Sequence, residues 1–363
     1  MPKKITNFSK NVQNRLKKGI IGILPKKRWI LITGSTDGFG RQLAQELAAN
    51  IYENFVIIHG RSEKNCQKTV EELGMEHENV GNRKLRNVDF VAADFSKLSE
   101  VLKMSEVVRL RFPRLNTLIA CASVVVQRRI KSHDGLELTL QINHLSHIVL
   151  FTELLPLLEL NSPSRILTVG SMLHNFSSSI NWNDINSEGC KYDKFAQYSL
   201  TKLMNHLATL YIHRLMFKHK KQFQVTANVV DAEKRVEKEG QTMFVFFSYL
   251  HQNFFSSSLK PLGLGMKGSR QGFMSGLKFV SSFCLPQYSN RAQFYSSLFP
   301  ASSEPYLYEH VNALETLVRL TEDKEFEGIS GKYFDANGKE LKLGASVCDV
   351  RVQVSTLLSR QIK

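Results

Sequence analysis

Short apolar runs alternating with stretches of helical periodicity constrain this chain more than any other feature. Trp29–Thr33, Phe55–His59, Phe90–Ala93, Thr117–Cys121, Arg165–Val169 and Gln224–Val230 read as buried strands bounded by turns. Between them Gly40–Asn50, Leu98–Phe112, Leu136–Leu160 and Tyr198–Phe217 repeat apolar residues at helical steps. Strands buried on both faces and joined by right-handed helical crossovers pair in parallel, with helices on either side. The pattern predicts a single doubly wound α/β domain with a parallel sheet, and 363 residues suffice for its core. A late strand is expected near Gly331–Phe334.

The turn after the first strand is Thr33-Gly34-Ser35-Thr36-Asp37-Gly38-Phe39-Gly40, and a helix starts directly behind it. Glycines at such a junction permit a tight turn, allow backbone to approach a pyrophosphate, and aim the positive helix end at phosphate. Further on, Tyr198 and Lys202 are four residues apart on a predicted helix, so their side chains share a face. A tyrosine hydroxyl ionises near pH 10. To trade protons near neutrality it needs a shift of about 3 units, roughly 4 kcal/mol, towards the phenolate. Positive charge on Lys202 acts in that direction.

The G-x-x-x-G-x-G spacing differs from the G-x-G-x-x-G of long-chain dinucleotide enzymes and resembles the turn of the short-chain dehydrogenase/reductase family. Asp94 after the third strand is similar to that family's adenine-contacting residue, and Asn143, Ser171, Tyr198 and Lys202 resemble its catalytic tetrad. The resemblance covers roughly residues 28–230 and returns at Gly328–Phe334. Ser171-Met-Leu-His174, the Trp-Asn-Asp that follows, Tyr198-Ser-Leu-Thr-Lys202-Leu and the late Gly328-Ile-Ser-Gly-Lys-Tyr-Phe334 are similar to the retinol-dehydrogenase-like branch.

This resemblance implies a Rossmann-type fold and an oxidoreductase that moves hydride between a nicotinamide dinucleotide and a carbonyl or alcohol carbon. Gly34, Ser35, Asp37, Gly38, Phe39, Gly40, Arg61, Ser62, Asp94, Ala120, Ala122, Tyr198 and Lys202 would then line the dinucleotide. Tyr198 would serve as acid/base, and Lys202 would bind the ribose hydroxyls and tune the phenol. Ser171 would hold the carbonyl oxygen, and Asn143 a water relaying protons to Lys202. No acid follows the second strand; the segment Ile57-Ile58-His59-Gly60-Arg61-Ser62 offers Arg61 and Ser62 to a 2′-phosphate, so NADP is expected over NAD.

Two departures from the family bear on activity. Ala120-Cys121-Ala122-Ser123 stands where Asn-Asn-Ala-Gly is usual, and Asp231-Ala232-Glu233-Lys234 replaces a Pro-Gly after the sixth strand. Carboxylates beside the nicotinamide would favour its oxidised ring and slow hydride donation, unless the loop folds outward. The alternative to an active enzyme is therefore a catalytically impaired nucleotide-binding interaction protein on the same fold. Ten phenylalanines lie between Phe244 and Phe299. They read either as a lipophilic cover for a retinoid, steroid or long-chain carbonyl, or as a core extension.

Residues 28–350 are expected to form the dehydrogenase domain, with 231–325 covering the substrate and 351–363 a tail. Residues 1–27 form a basic extension. The chain carries 48 Lys+Arg against 33 Asp+Glu, a net +15, and residues 1–28 contain no acid. There Ile5, Phe8, Val12, Leu16 and Ile20 would form an apolar stripe opposite lysines, suited to peripheral contact with an anionic membrane and equally to a solvated tail. Ile20–Leu24 is too short for a secretory signal, and the lysines suit a mitochondrial presequence less well than arginines would. A cytoplasmic, membrane-associated protein is expected, with a homo-oligomer open. No helix-turn-helix, zinc or aromatic-basic pattern points to nucleic acid. Cys66, Cys121, Cys190, Cys284 and Cys348 show no CxxC spacing, and His144, His147 and His174 read as structural, with no metal set.

Overall fold

The computed structural model describes residues 27–74, 87–177, 180–189, 191–218, 225–232, 235–238, 241–244 and 309–342. Strands β1 (Arg28–Ile32), β2 (Asn54–Gly60), β3 (Val88–Ala92), β4 (Thr117–Ala120), β5 (Ser164–Gly170), β6 (Val225–Asp231), β9 (Tyr333–Phe334) and β10 (Glu340–Leu341) form one sheet, and β7 (Arg235–Lys238) and β8 (Gln241–Phe244) form a separate hairpin. The order is β10-β9-β6-β5-β4-β1-β2-β3, parallel except for the antiparallel β9–β10 edge pair. The doubly wound expectation holds, and each predicted strand lies within two residues of its observed bounds.

Apolar residues on both faces explain why the strands lie inside. Leu31 and Ile57 enter a core with Val101, Met104 and Val108 of α3 (Leu98–Arg111), Leu150 and Leu154 of α4 (Ser146–Leu160), and Ile212 of α5 (Lys194–Lys218). Their neighbours Ile30, Ile32, Val56 and Ile58 face the other side, against Leu43 and Leu47 of α1 (Gly38–Ala49) and Leu317 of α6 (Glu309–Glu322). Two helical layers therefore enclose one sheet.

Three features differ from the sequence reading. Helix α2 (Glu63–Gly74) is an added crossover whose polar sequence buries only Cys66, Thr69 and Leu73, too sparse a stripe to register as helical. The single helix expected over Leu136–Leu160 is instead an α-turn (Leu138–Leu140), a π-helical turn (Gln141–Leu145) and α4. Helix α6 belongs to the core layer: Arg28 and Arg165 cap its end, donating to the carbonyls of Glu322 and Leu320. That removes 309–322 from the region expected to cover a substrate. Apart from 231–232, the β7–β8 hairpin and 323–325, the rest of that region, including the phenylalanines from 246 to 299, lies outside the described residues, as do 1–26 and 343–363.

Candidate active site

Strand order reverses between β1 and β4, and the crevice outside their carboxyl ends is where open α/β sheets bind ligands. Here the turn after β1 meets the segment after β4. Gly34 has φ +66°, and a Cβ on it would lie 2.7 Å from Ala122 Cα. Gly40 packs so closely that a Cβ would reach the Gly34 carbonyl at 2.3 Å. Only glycine fits either place. Asp37 caps α1, its Oδ1 accepting from the Gly38 N–H at 2.7 Å.

Thr33 binds the two segments together. Its Oγ1 accepts from the N–H groups of Cys121 and Ala122 at 2.8 and 3.0 Å, and it lies 2.9 Å from His147 Nε2. Since His147 Nδ1 faces the Asn143 carbonyl at 2.9 Å and must donate there, Nε2 accepts and Thr33 donates. Burial holds His147 neutral, pushing its pKa down to about 3. His59 braces the other side: its Nδ1 accepts from the Gly34 N–H, so Nε2 donates to the Ala93 carbonyl. Its pKa falls to about 4 through burial.

Not every residue expected along the nucleotide points outward. The Ser35 hydroxyl is fully buried, donating to Ile32 O and accepting from His59 N–H. Phe39 enters the core, and Ala120 is buried within β4. Arg61 is exposed just after β2, and Ser62 Oγ accepts from Asn65 N–H at the start of α2. Partial burial of Asp94 would raise its carboxyl pKa. Its bonds to Ser96 and the charges of Arg61 and Lys97 outweigh that and lower it.

At the other end, Lys202 is 3% exposed and donates from Nζ to the Val169 carbonyl at 2.9 Å, two residues before Ser171. The same Nζ stands 5.4 Å from the centre of the Tyr198 ring. Ser171 is fully buried and caps the short helix behind β5, its Oγ accepting from Leu173 N–H. Asn143 sits in the π-helical turn, a distortion frequent at functional sites. Its amide bonds both backbone groups of Val124 and reaches Thr201 Oγ1 at 3.2 Å, while its carbonyl accepts from His147 and Asn205. Asn143 therefore clamps the β4 segment to α5, a role the sequence did not suggest.

Cys121, also in this region, has its thiol pushed up to about 11 by burial despite the opposing charge of Lys202. Tyr198 and Lys202, Ser171 and the glycine turn thus gather around the carboxyl ends of β1, β4 and β5. Of the two carboxylates expected after the sixth strand, Asp231 is the last residue of β6, fully buried, and accepts from the Tyr333 hydroxyl; Glu233 lies outside the described residues.

The sequence matches the family described as short chain dehydrogenase over residues 28–182. It is 31% identical to the polyprenol dehydrogenase of Homo sapiens over 208 residues, 56% of this chain and 59% of that protein. It is 33% identical to retinol dehydrogenase 14 of Mus musculus over 205 residues, 55% and 59% of the two chains. Residues 28–182 are similar in sequence to the short-chain dehydrogenase/reductase family, and the named relatives place that likeness in its retinol-dehydrogenase-like branch. The alignments span 59% of the length of these two curated relatives. A solved Mycobacterium paratuberculosis protein shares this fold with a TM-score of 0.57 and 19% identity, covering 94% of this chain and 95% of that one.

Glu137 and Gln197 were not anticipated. Fully buried, Glu137 accepts from the N–H groups of Thr139 and Leu140, from Tyr192 and from Gln197 beside Tyr198. It thereby fixes the α-turn Leu138–Leu140, which leads into the π-helical turn, against α5. No local signal marks it, because its partners lie up to 60 residues away.

Proposed function

We propose that this chain is an oxidoreductase that transfers hydride between a nicotinamide dinucleotide and a carbonyl or alcohol carbon of a lipophilic substrate, with NADP preferred over NAD. The observation that carries this reading is the buried Lys202 ammonium beside the Tyr198 ring, at the strand end that leads to Ser171. The close-packed Gly34–Gly40 turn at the β1/β4 switch point fits a pyrophosphate.

A bound nicotinamide would supply or accept the hydride; the residues do the rest. Ser171 holds the substrate oxygen, placing its carbon for transfer. Tyr198 gives its phenolic proton to that oxygen in reduction and takes it back in oxidation, with Lys202 favouring the phenolate. Asn143 serves as a positioning residue through its clamp on Val124 and Thr201. Arg61, with Ser62, meets the 2′-phosphate, while Asp94 faces the adenine end. The names of the polyprenol and retinol relatives support a long apolar substrate. So does the phenylalanine-rich segment, which we assign to substrate cover.

We place the protein in the cytoplasm, with membrane contact through residues 1–27. No helix among the described residues is long and apolar enough to cross a membrane.

The test is the full chain with NADPH or NADH and a panel of apolar aldehydes and ketones, followed by cofactor absorbance. Turnover that favours NADPH and long-chain carbonyls is expected. Tight NADPH binding without turnover on any substrate would instead identify a non-catalytic nucleotide-binding protein.

A further inference from the structure

Four separate elements bring His174, His206, Asp231 and Tyr333 together beneath the reacting end of the site. His174 lies in the short helix after β5, His206 one turn beyond Lys202 on α5, Asp231 at the end of β6, and Tyr333 on β9. All four are buried, none more than 3% exposed. The two imidazoles stack with centroids 4.0 Å apart. One ligating atom from each of His174, His206 and Asp231 lies within 4.8 Å of the others.

His206 is the anomaly. It is fully buried, and among the described residues neither ring nitrogen has a hydrogen-bond partner. A buried polar atom left in that state costs about 1–3 kcal/mol, which a leucine there would avoid. A ligand explains the choice. The space is kept by Gly170, where a Cβ would stand 2.9 Å from His206 Nε2 and 3.0 Å from Asp231 Oδ1.

We propose that His174, His206 and Asp231 form a site for one divalent transition-metal ion, with zinc the best match. Two imidazoles and a carboxylate are a borderline nitrogen/oxygen set, suited to zinc rather than to magnesium or calcium. The outer partners of such a site are also in place. His174 Nδ1 donates to the Ser171 carbonyl at 2.8 Å, leaving Nε2 as the ligating atom, and the Tyr333 hydroxyl orients Asp231 through its other oxygen. Bond lengths of about 2.1 Å imply ligand separations of about 3.4 Å, so the three ligand atoms, which lie within 4.8 Å of one another, draw closer on binding, and a fourth position is left for a small oxygen ligand. The ion would tie the short helix after β5, the middle of α5 and the end of β6 together, with β9 joined through Tyr333, independently of whether the neighbouring site turns over substrate.

Untagged full-length protein, freed of metal with a chelator and dialysed against zinc, should retain about one zinc ion per chain by mass spectrometry and melt several degrees higher than the apoprotein. His206→Leu and Asp231→Asn should each lose both effects. His206→Leu should fold regardless, since it replaces a ring whose nitrogens have no hydrogen-bond partner among the described residues with an apolar side chain. Cobalt(II) added to the wild-type apoprotein should give the intense visible absorption of a four-coordinate site. Wild-type protein with no bound zinc and no such absorption would overturn the proposal, as would zinc retained at full stoichiometry by His206→Leu.

Discussion

Thr33 Oγ1 donates to His147 Nε2 across 2.9 Å, and this bond joins the glycine turn to α4, whose His147 in turn holds the carbonyl of Asn143 in the π-helical turn before it. The two ends of the site, nucleotide and reacting, are thereby fixed by one neutral imidazole. His147→Leu leaves Thr33 and the Asn143 carbonyl each short of a buried partner. The expected loss is about 2–4 kcal/mol of stability, together with weaker NADPH binding, measured by urea unfolding and by fluorescence titration.

Glu137 gathers four donors in a buried place. Glu137→Ala should cost roughly 3 kcal/mol or more, because each orphaned buried donor is expensive. Chemical denaturation reads the loss directly, and it should raise the substrate KM as the start of α5 loosens.

The pH dependence of stability follows from the buried histidines. His59 is held at about 4 in the folded chain against 6.5 in the unfolded one. The unfolded state therefore binds the extra proton as pH falls below 6.5, and stability declines until about pH 4, where folded His59 also protonates. On the order of 3 kcal/mol is lost from this residue over that window. His147, at about 3, extends the loss to lower pH. Urea midpoints between pH 7 and pH 4 should fall steadily, and less steeply in a His59→Asn variant.

Arg61 is the test of cofactor choice. Arg61→Ala should weaken NADPH binding by about tenfold to a hundredfold, the worth of a charge-assisted contact, and leave NADH binding unchanged. Titration of both nucleotides against wild type and variant decides it.

Strand positions were legible because each strand is apolar on both faces, as Ile30, Leu31 and Ile32 illustrate, and such runs have few other homes. The glycine turn and the Tyr198/Lys202 pair were legible because their partners are near in sequence. What stayed hidden was long-range. The π-helical turn at Asn143 depends on Val124 and Thr201, and Glu137 on Gln197. The metal-like group of His174, His206 and Asp231 has no ligand spacing to read. His147, read as structural, carries the bond between the two halves of the site. Asp231, expected either near the nicotinamide or in an outward loop, is drawn inward by Tyr333.

The most direct measurement is single-turnover hydride transfer from NADPH to a long-chain aldehyde in wild type and in Tyr198→Phe. Loss of at least a thousandfold in rate, about 4 kcal/mol, with NADPH affinity unchanged, is the predicted result. Equal rates in the two proteins would contradict the assignment of Tyr198 as the proton donor.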